Sequence, residues 1–411
     1  MTSGTLLQQI TDYANRANPY PLYAELRRTP VARQDDGTYL VGTYHEIISL
    51  LHDPRLSSDI RNLVGRGGGL AAEEESGLPP SFIRLDPPEH DRLRRLAMRA
   101  FGPPHSPRRV FDMRGELLRI ISDVIDELQG KEQVDLVDEV AYPFPVTVIC
   151  RLLGVPREDE SRFHGWADAV VAGLDPTGDE GQADRQRAAQ QARIELGGYL
   201  GGLIEEYRRS PSDDMLSVLA TDHGPDGRMS PIEQITTAVL LLIAGHETTV
   251  NLITNGMLTM LRQPEHLKRL ADDPDLASPL VEELLRYEPP VQLLPQRVAL
   301  ADVDIAGTVI PEGSSVWLAL ASGNRDPRRF SEPDRFDPDR RDNQHLGFGS
   351  GIHICFGAPL ARLEAQFALT ELARRLRNPR LVADPPPYRR NPILRGPRHL
   401  PVALDGVQPR G

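Results

Sequence analysis

Ten residues near the C-terminus, Phe348-Gly349-Ser350-Gly351-Ile352-His353-Ile354-Cys355-Phe356-Gly357, constrain the fold more than any other stretch of this 411-residue chain. They place one of only two cysteines in a loop with three glycines, directly ahead of Ala358-Pro359-Leu360-Ala361-Arg362-Leu363-Glu364-Ala365, a run that reads as an amphipathic helix. A cysteine at a helix N-terminus sits in the positive end of the helix dipole, which favours the thiolate. Glycines on both sides let a bulky group approach the backbone and let main-chain N–H groups point at the sulfur. Any fold for this chain has to deliver that loop–helix junction to a place where something can reach a thiolate.

Such a residue is a metal or haem ligand or a catalytic nucleophile; without context, a lone cysteine is more often a small hydrophobe in a turn. A zinc site would want companions such as Cys-x-x-Cys, and the sequence has none. Haem iron needs a single protein ligand on its proximal side, so one thiolate suits it.

The loop and the helix after it resemble the haem-binding signature of the cytochrome P450 family, Phe-x-x-Gly-x-x-x-Cys-x-Gly, in its soluble bacterial form. The match falls at Phe348, Gly351, Cys355 and Gly357, with His353 two residues before the cysteine and Leu360-Ala361-Arg362 and Glu364 continuing it. Further motifs of the family follow in the right order across most of the chain. The resemblance implies a mainly α fold with minor β: a long central helix over a buried haem b, small antiparallel sheets, and one domain over residues 1–411.

Composition agrees with a soluble enzyme. A net charge of −12 argues against generic nucleic-acid binding, which wants a basic surface. Cys150 and Cys355 alone make no disulfide framework, so a reducing cytoplasm is the expected setting. The N-terminus lacks a basic region followed by an apolar stretch, and the longest apolar run, Ala238 to Gly245, is far short of the roughly 20 residues of a membrane span. The 37 prolines and 34 glycines are spread as punctuation, with no repeat and no long linker.

In chain order, a helix-like segment at Pro21–Leu26 precedes β-like pieces at Val31–Arg33 and Thr38–Val41, joined by the turn Asp35-Asp36-Gly37. A helix from about Tyr44 to Leu51 is expected next, then a solvated glycine-rich loop over residues 56–85. Asp86 and Pro87 read as the N-cap and first position of a helix on which His90 and Arg94, four apart, share a face. The resemblance gives that pair haem propionates to bind, and leaves Arg92, Arg95 and Arg99 as an exposed basic patch for an acidic electron donor. Helices are expected over 108–210, broken near Pro176, where the resemblance implies a mobile lid; Cys150, in an apolar segment, reads as structural.

The central helix is expected to start at Ser230, where Ser230 and Glu233 form a capping-box pattern with Pro231 at the first position. Its apolar run Val239–Ile243 is then broken by Ala244-Gly245-His246-Glu247-Thr248-Thr249. An interior glycine costs roughly 1 kcal/mol relative to alanine, and a carboxylate beside two hydroxyls is costly to bury. So local a violation points to function. By resemblance this is the oxygen-binding groove: Glu247 and Thr248 deliver protons, and Ala244 and Gly245 leave space above the iron. Glu283 and Arg286, three apart, meet on one helix face, ordinarily a surface pair contributing under about 1 kcal/mol. The resemblance makes them, with Arg335 of Pro333-Asp334-Arg335-Phe336, a structural ion-pair set. It also makes Arg297 and His353 propionate ligands, Phe348, Gly349 and Gly357 part of the haem cradle, and Leu240, Ile243, Ala244, Val291, Leu293 and Leu294 pocket lining.

The reading is a haem-thiolate monooxygenase that takes O2 and, by resemblance, electrons from a separate ferredoxin and ferredoxin reductase, the chain having no flavin or iron–sulfur motif. The mostly apolar lining implies a largely hydrophobic substrate such as a polyketide, macrolide or terpenoid. Alternatives are a fatty-acid hydroxylase, the same fold performing oxidative coupling or ring formation, a peroxide-driven enzyme, a non-catalytic haem-containing binding protein, and a cysteine-nucleophile hydrolase.

Overall fold

The computed structural model describes residues 5–62, 79–101, 109–173, 181–222 and 227–410. The helices of eight or more residues are α1 (Tyr44–Leu51), α2 (Glu89–Phe101), α3 (Arg114–Asp126), α4 (Pro143–Leu153), α5 (Glu160–Gly173), α6 (Gln182–Arg209), α7 (Pro231–Arg262), α8 (Pro264–Asp272), α9 (Ala277–Tyr287) and α10 (Ala358–Arg375). The strands are short: β1 (Val31–Arg33), β2 (Tyr39–Val41), β3 (Leu56–Ser57), β4 (Gln133–Asp135), β5 (Leu294–Ala299), β6 (Val303–Ile305), β7 (Thr308–Ile310), β8 (Ser315–Leu318), β9 (Arg380–Leu381) and β10 (Pro401–Ala403). This is the mainly helical architecture with minor sheets expected from the sequence.

By packing, the chain divides into two compact units. One comprises residues 1–56, 116–144 and 248–411; the other comprises 57–115 and 145–247. The first holds the main sheet, ordered β1-β2-β8-β5 with β3 at the far edge. β1 pairs antiparallel with β2, Val31 opposite Val41, and β5 antiparallel with β8. Between them β2 and β8 run parallel, Tyr39 opposite Val316. Most of the chain separates these two strands, which leaves ample length for the crossover that a parallel pair requires. The sheet packs on α1, whose Ile47 and Leu50 are buried in one apolar cluster with Val41, Val316, Leu318, Phe330 and Leu346. On the sheet's other cluster, Leu40 and Leu293 pack with Tyr20, Tyr23 and Leu26.

In the second unit, α5 and α6 pack against one another. Gly173 closes the contact, since a Cβ there would lie 2.3 Å from that of Ala189. Phe163 sits edge-on to both Trp166 and Tyr199, at 5.3 Å in each case. The expected lid near Pro176 falls at 174–180, outside the described residues, as does 63–78 of the expected loop.

Helix α7 starts where its capping box predicts. The Ser230 N–H donates to the Glu233 carboxylate at 2.7 Å, and the Glu233 N–H donates back to Ser230 Oγ at 3.4 Å. By length and composition α7 would suffice to cross a membrane, but 67% of its apolar window is buried inside the protein, as in a core helix. The helix runs unbroken through Ala244–Thr249: the polar interruption leaves the backbone regular.

α2 departs from expectation at its start. It begins at Glu89, and the Asp86 side chain does not cap it; that carboxylate instead takes the Ser57 hydroxyl and the Ser58 N–H, tying down the loop before it. Arg92 and Arg99 depart too. Arg92 pairs with Glu233, and Arg99 is buried against Asp222, with Nε at 2.7 Å. Of the three arginines read as a basic patch, only Arg95 is exposed.

Candidate functional site

Cys355 ends a loop whose path is set by two glycines in the left-handed region, Gly349 and Gly351, both at φ +69°. Such angles are strained for any residue with a Cβ. They fold the chain back so that the Cys355 N–H donates to Phe348 O at 2.9 Å and the Ile354 N–H to Gly351 O at 3.1 Å. Helix α10 starts immediately afterwards, with Gly357 at its cap position and Pro359 in its first turn. Cys355 is exposed, whereas Cys150 is fully buried and its thiol is pushed up to about 12 by desolvation. Only Cys355 is therefore placed to bind a ligand.

The loop is gripped on both flanks by one carboxylate that sequence reasoning passed over. Glu282, on α9, accepts from Arg362 Nε at 2.6 Å on the far side of the cysteine and lies 3.1 Å from His345 Nε2 on the near side. Burial works against its charge, but the bonds from His345 and Arg362 outweigh that and hold its carboxyl down to about 2. The Arg362 guanidinium also lies over the Phe348 ring, 4.5 Å from its centroid. Glu282 stands beside Glu283 on a visibly amphipathic helix, yet nothing in its local pattern separates it from a solvated acid.

Glu283 and Arg286 are far from the surface pair their spacing suggests. Both side chains are fully buried. Arg286 donates twice to Glu283, at 2.7 and 2.8 Å, and its remaining N–H groups reach the carbonyls of Asn324, Pro333 and Arg335 at 3.0, 2.7 and 2.9 Å. The third charged member is Arg340, not Arg335. Arg340 is buried beside Glu283 at 3.4 Å, while the Arg335 side chain is exposed and turns to Glu332, contributing only its backbone carbonyl. The reason is geometric: Arg286 claims the Arg335 carbonyl, which leaves that residue's side chain pointing outward. Asn324 finishes the link to the loop, its Oδ1 accepting the Leu346 N–H at 2.6 Å.

On α2, His90 is buried with its ring edge-on to Phe82 and its Nδ1 2.8 Å from Asp91 Oδ1, a contact that orients the imidazole. Arg94 follows one turn on and is half-buried. Arg297 lies on β5 opposite Val316, just past a register shift between Leu294 and Arg297; such bulges re-aim a side chain. His353 is half-buried in the turn before Cys355. On α7, Glu247 is buried, Thr248 half-buried and Ala244 exposed. The protein's own packing does not demand glycine at 245, since a Cβ there would meet Ile149 Cδ1 at an ordinary 3.4 Å.

Of the expected pocket residues, Leu240 and Ile243 are half-buried on α7. Val291 and Leu294 are half-buried against the sheet cluster. Leu293, just ahead of β5, departs from the expected lining: it is fully buried in the cluster with Tyr20 and Tyr23.

The donor set fits a haem. An exposed thiol stands on a glycine loop, and within the same unit side-chain donors suited to carboxylates occur on β5, at Arg297, and in the loop itself, at His353.

Comparison with known proteins agrees. A family profile described as cytochrome P450 matches residues 273–400. The chain is 41% identical to cytochrome P450 monooxygenase PikC of Streptomyces venezuelae, over 94% of this chain and 91% of that protein. It is 38% identical to 6-deoxyerythronolide B hydroxylase of Saccharopolyspora erythraea, over 94% and 96%. The ligand-free crystal structure of Mycobacterium smegmatis CYP164A2 superposes with a TM-score of 0.86 at 41% identity, covering 97% of this chain and 99% of that one. With the cysteine loop, the buried Glu283–Arg286 pair and relatives matched over nearly their whole length, the chain belongs to the cytochrome P450 family and is a haem b-dependent monooxygenase.

Proposed function

We propose that this monooxygenase hydroxylates or epoxidises a bulky, largely apolar secondary metabolite of the polyketide or macrolide kind. The observation that carries the reading is the likeness to 6-deoxyerythronolide B hydroxylase, aligned over 94% of this chain. The half-buried apolar side chains of Leu240, Ile243, Val291 and Leu294 support it.

In this reading Cys355 Sγ would ligate the haem iron, and His90, Arg94, Arg297 and His353 would hold its propionates. Phe348, Gly349 and Gly357 would form its cradle, and Ala244 and Gly245, with little or no side chain, would leave it room. The haem, when bound, supplies the reductive activation of dioxygen. The chain's own part is positional and protonic. Arg362 and Glu282 fix the loop that presents Sγ, Thr248 Oγ1 donates and accepts protons, and the buried Glu247 carboxyl replenishes them. Electrons come from a ferredoxin and its reductase in the cytoplasm, one at a time.

The test begins with the carbon monoxide difference spectrum of the dithionite-reduced protein. A Soret band at the thiolate-ligated position is expected, lost in Cys355→Ala; a protein expressed with haem supplementation that shows no haem signal would sink the assignment. Spin-state titration against macrolactones and long-chain fatty acids then decides the substrate class: a response to fatty acids alone overturns the macrolide reading.

A further inference from the structure

The cysteine loop is held from a second side that none of the motifs above includes. The last turn of α1 abuts it, backbone to backbone: a Cβ on Gly351 would lie 2.2 Å from Leu51 O and 3.1 Å from its carbonyl carbon. One residue past the end of α1, His52 Nε2 lies 2.8 Å from Ser350 Oγ. His52 caps α1, its backbone N–H donating to carbonyls of the preceding turn, including Ile48 and Ser49 at 3.2 Å each. Its Cα is therefore fixed by the helix while its ring reaches the loop.

The helix is itself anchored. Ile47 and Leu50 are fully buried in the cluster that contains Leu346, two residues ahead of Phe348. At the other end of α1, the Tyr44 N–H donates to Asp326 Oδ2 at 2.9 Å, and the Tyr44 hydroxyl to Gln344 O at 2.7 Å. A continuous path of contacts runs from the sheet core through α1 and His52 to Ser350, five residues before the cysteine.

We propose that His52 is a positioning residue for the cysteine loop: through Ser350 it holds the Ser350-Gly351 turn against the end of α1 and so fixes where Cys355 presents its sulfur. The functional consequence rests on Cys355 being the haem ligand; the geometry does not. A serine hydroxyl both donates and accepts, so the contact forms with a neutral ring of either tautomer and with a cationic ring. Removing the side chain, rather than changing pH, is the informative perturbation.

The experiment compares full-length, haem-loaded wild type with His52→Ala, His52→Gln, Ser350→Ala and the double variant H52A/S350A. Two quantities are read: the rate at which the reduced carbon monoxide complex loses its thiolate-type Soret band in mild urea, and amide hydrogen exchange over residues 346–357. The contact is solvent-exposed and takes the low end of a hydrogen bond's worth, a factor of about two, so His52→Ala and Ser350→Ala are each expected to speed band loss about twofold. The double variant should be no faster than either single one, because they remove the same contact. His52→Gln, which keeps a side-chain donor, should recover most of the loss. The amides of Gly349, Ile354 and Cys355 should exchange faster while those in the middle of α7 do not. The proposal is overturned by an unchanged loop in His52→Ala, by effects that add in the double variant, or by faster exchange throughout the protein. Hydrogen exchange needs no thiolate ligation. If the wild type lacks the thiolate band, the ligand assignment falls while the exchange data still decide the role of His52.

Discussion

Replacing Arg286 by methionine tests the structural account where it is most exposed to failure. The guanidinium is fully buried and makes five hydrogen bonds, two to Glu283 and one each to the carbonyls of Asn324, Pro333 and Arg335. Breaking a buried ion pair by removing one partner costs about 3–5 kcal/mol. The low end applies here, because Glu283 keeps the Asp337 N–H at 2.9 Å, Asn343 Nδ2 at 3.2 Å and Arg340 at 3.4 Å. Three carbonyls lose their donor as well, at roughly 1 kcal/mol each where water cannot follow. Because these groups share one network the terms do not simply add, and about 5 kcal/mol is the expected loss. A typical folded protein has only about 5–15 kcal/mol in total, so Arg286→Met should sit near the edge of unfolding and bind haem poorly. Arg286→Lys keeps the charge but offers three donors from one point, and should lose roughly half as much. Equilibrium urea unfolding followed by circular dichroism gives the number. An Arg286→Met protein within about 1 kcal/mol of wild type would refute the claim that this side chain organises the segment from Asn324 to the cysteine loop.

Two further outcomes follow from the same geometry. Arg340→Ala should destabilise by about 1–3 kcal/mol through exposure of Glu283's buried charge, whereas Arg335→Ala, at the surface, should stay within about 0.5 kcal/mol in the same urea experiment. Glu364, fully buried on α10, has its carboxyl raised well above the usual range by desolvation. The native state then holds a proton that the unfolded chain releases above about pH 4.5, so stability falls as pH rises from there toward the folded-state value. Glu364→Gln should be neutral in acid and stabilising at pH above neutrality, with unfolding free energies across the pH range as the check; equal pH slopes for variant and wild type would refute it.

Much of this was legible because the local signals were strong and self-contained. The helix Tyr44–Leu51, the capping box at Ser230, the hairpin around Asp35-Asp36-Gly37 and the cysteine loop each announce themselves within about ten residues, and each was found where the sequence placed it. The misreadings share a different cause. Arg335 and Arg340 are both arginines in one irregular stretch, and only the path of the backbone decides which faces Glu283. Arg99 looks like any charged helix residue until Asp222 is brought to it from more than a hundred positions away. Leu293 and Leu294 are adjacent leucines where the chain enters β5, and only the path of the backbone there sends one to the core. Glu282 and His52 act through partners in or flanking the cysteine loop, distant in sequence, so neither carries a signature of its own. Pair spacing on one helix is readable; pairing across the fold is not.

The grip of Arg286 on three backbone carbonyls has a consequence for how this part of the chain can drift. Carbonyls are common to all twenty residues, so these three bonds register the distances along the chain from 324 to 333 and 335 rather than the side chains at those three positions. Substitution at Arg335 leaves its grip intact, whereas a single inserted residue between Asp326 and Pro333 would carry two of the three carbonyls out of reach. Exposed positions of this stretch such as Arg335 should be permissive in letters while its length is strict, the reverse of an ordinary surface loop; Asn324, Asp326 and Phe330 keep side-chain partners of their own.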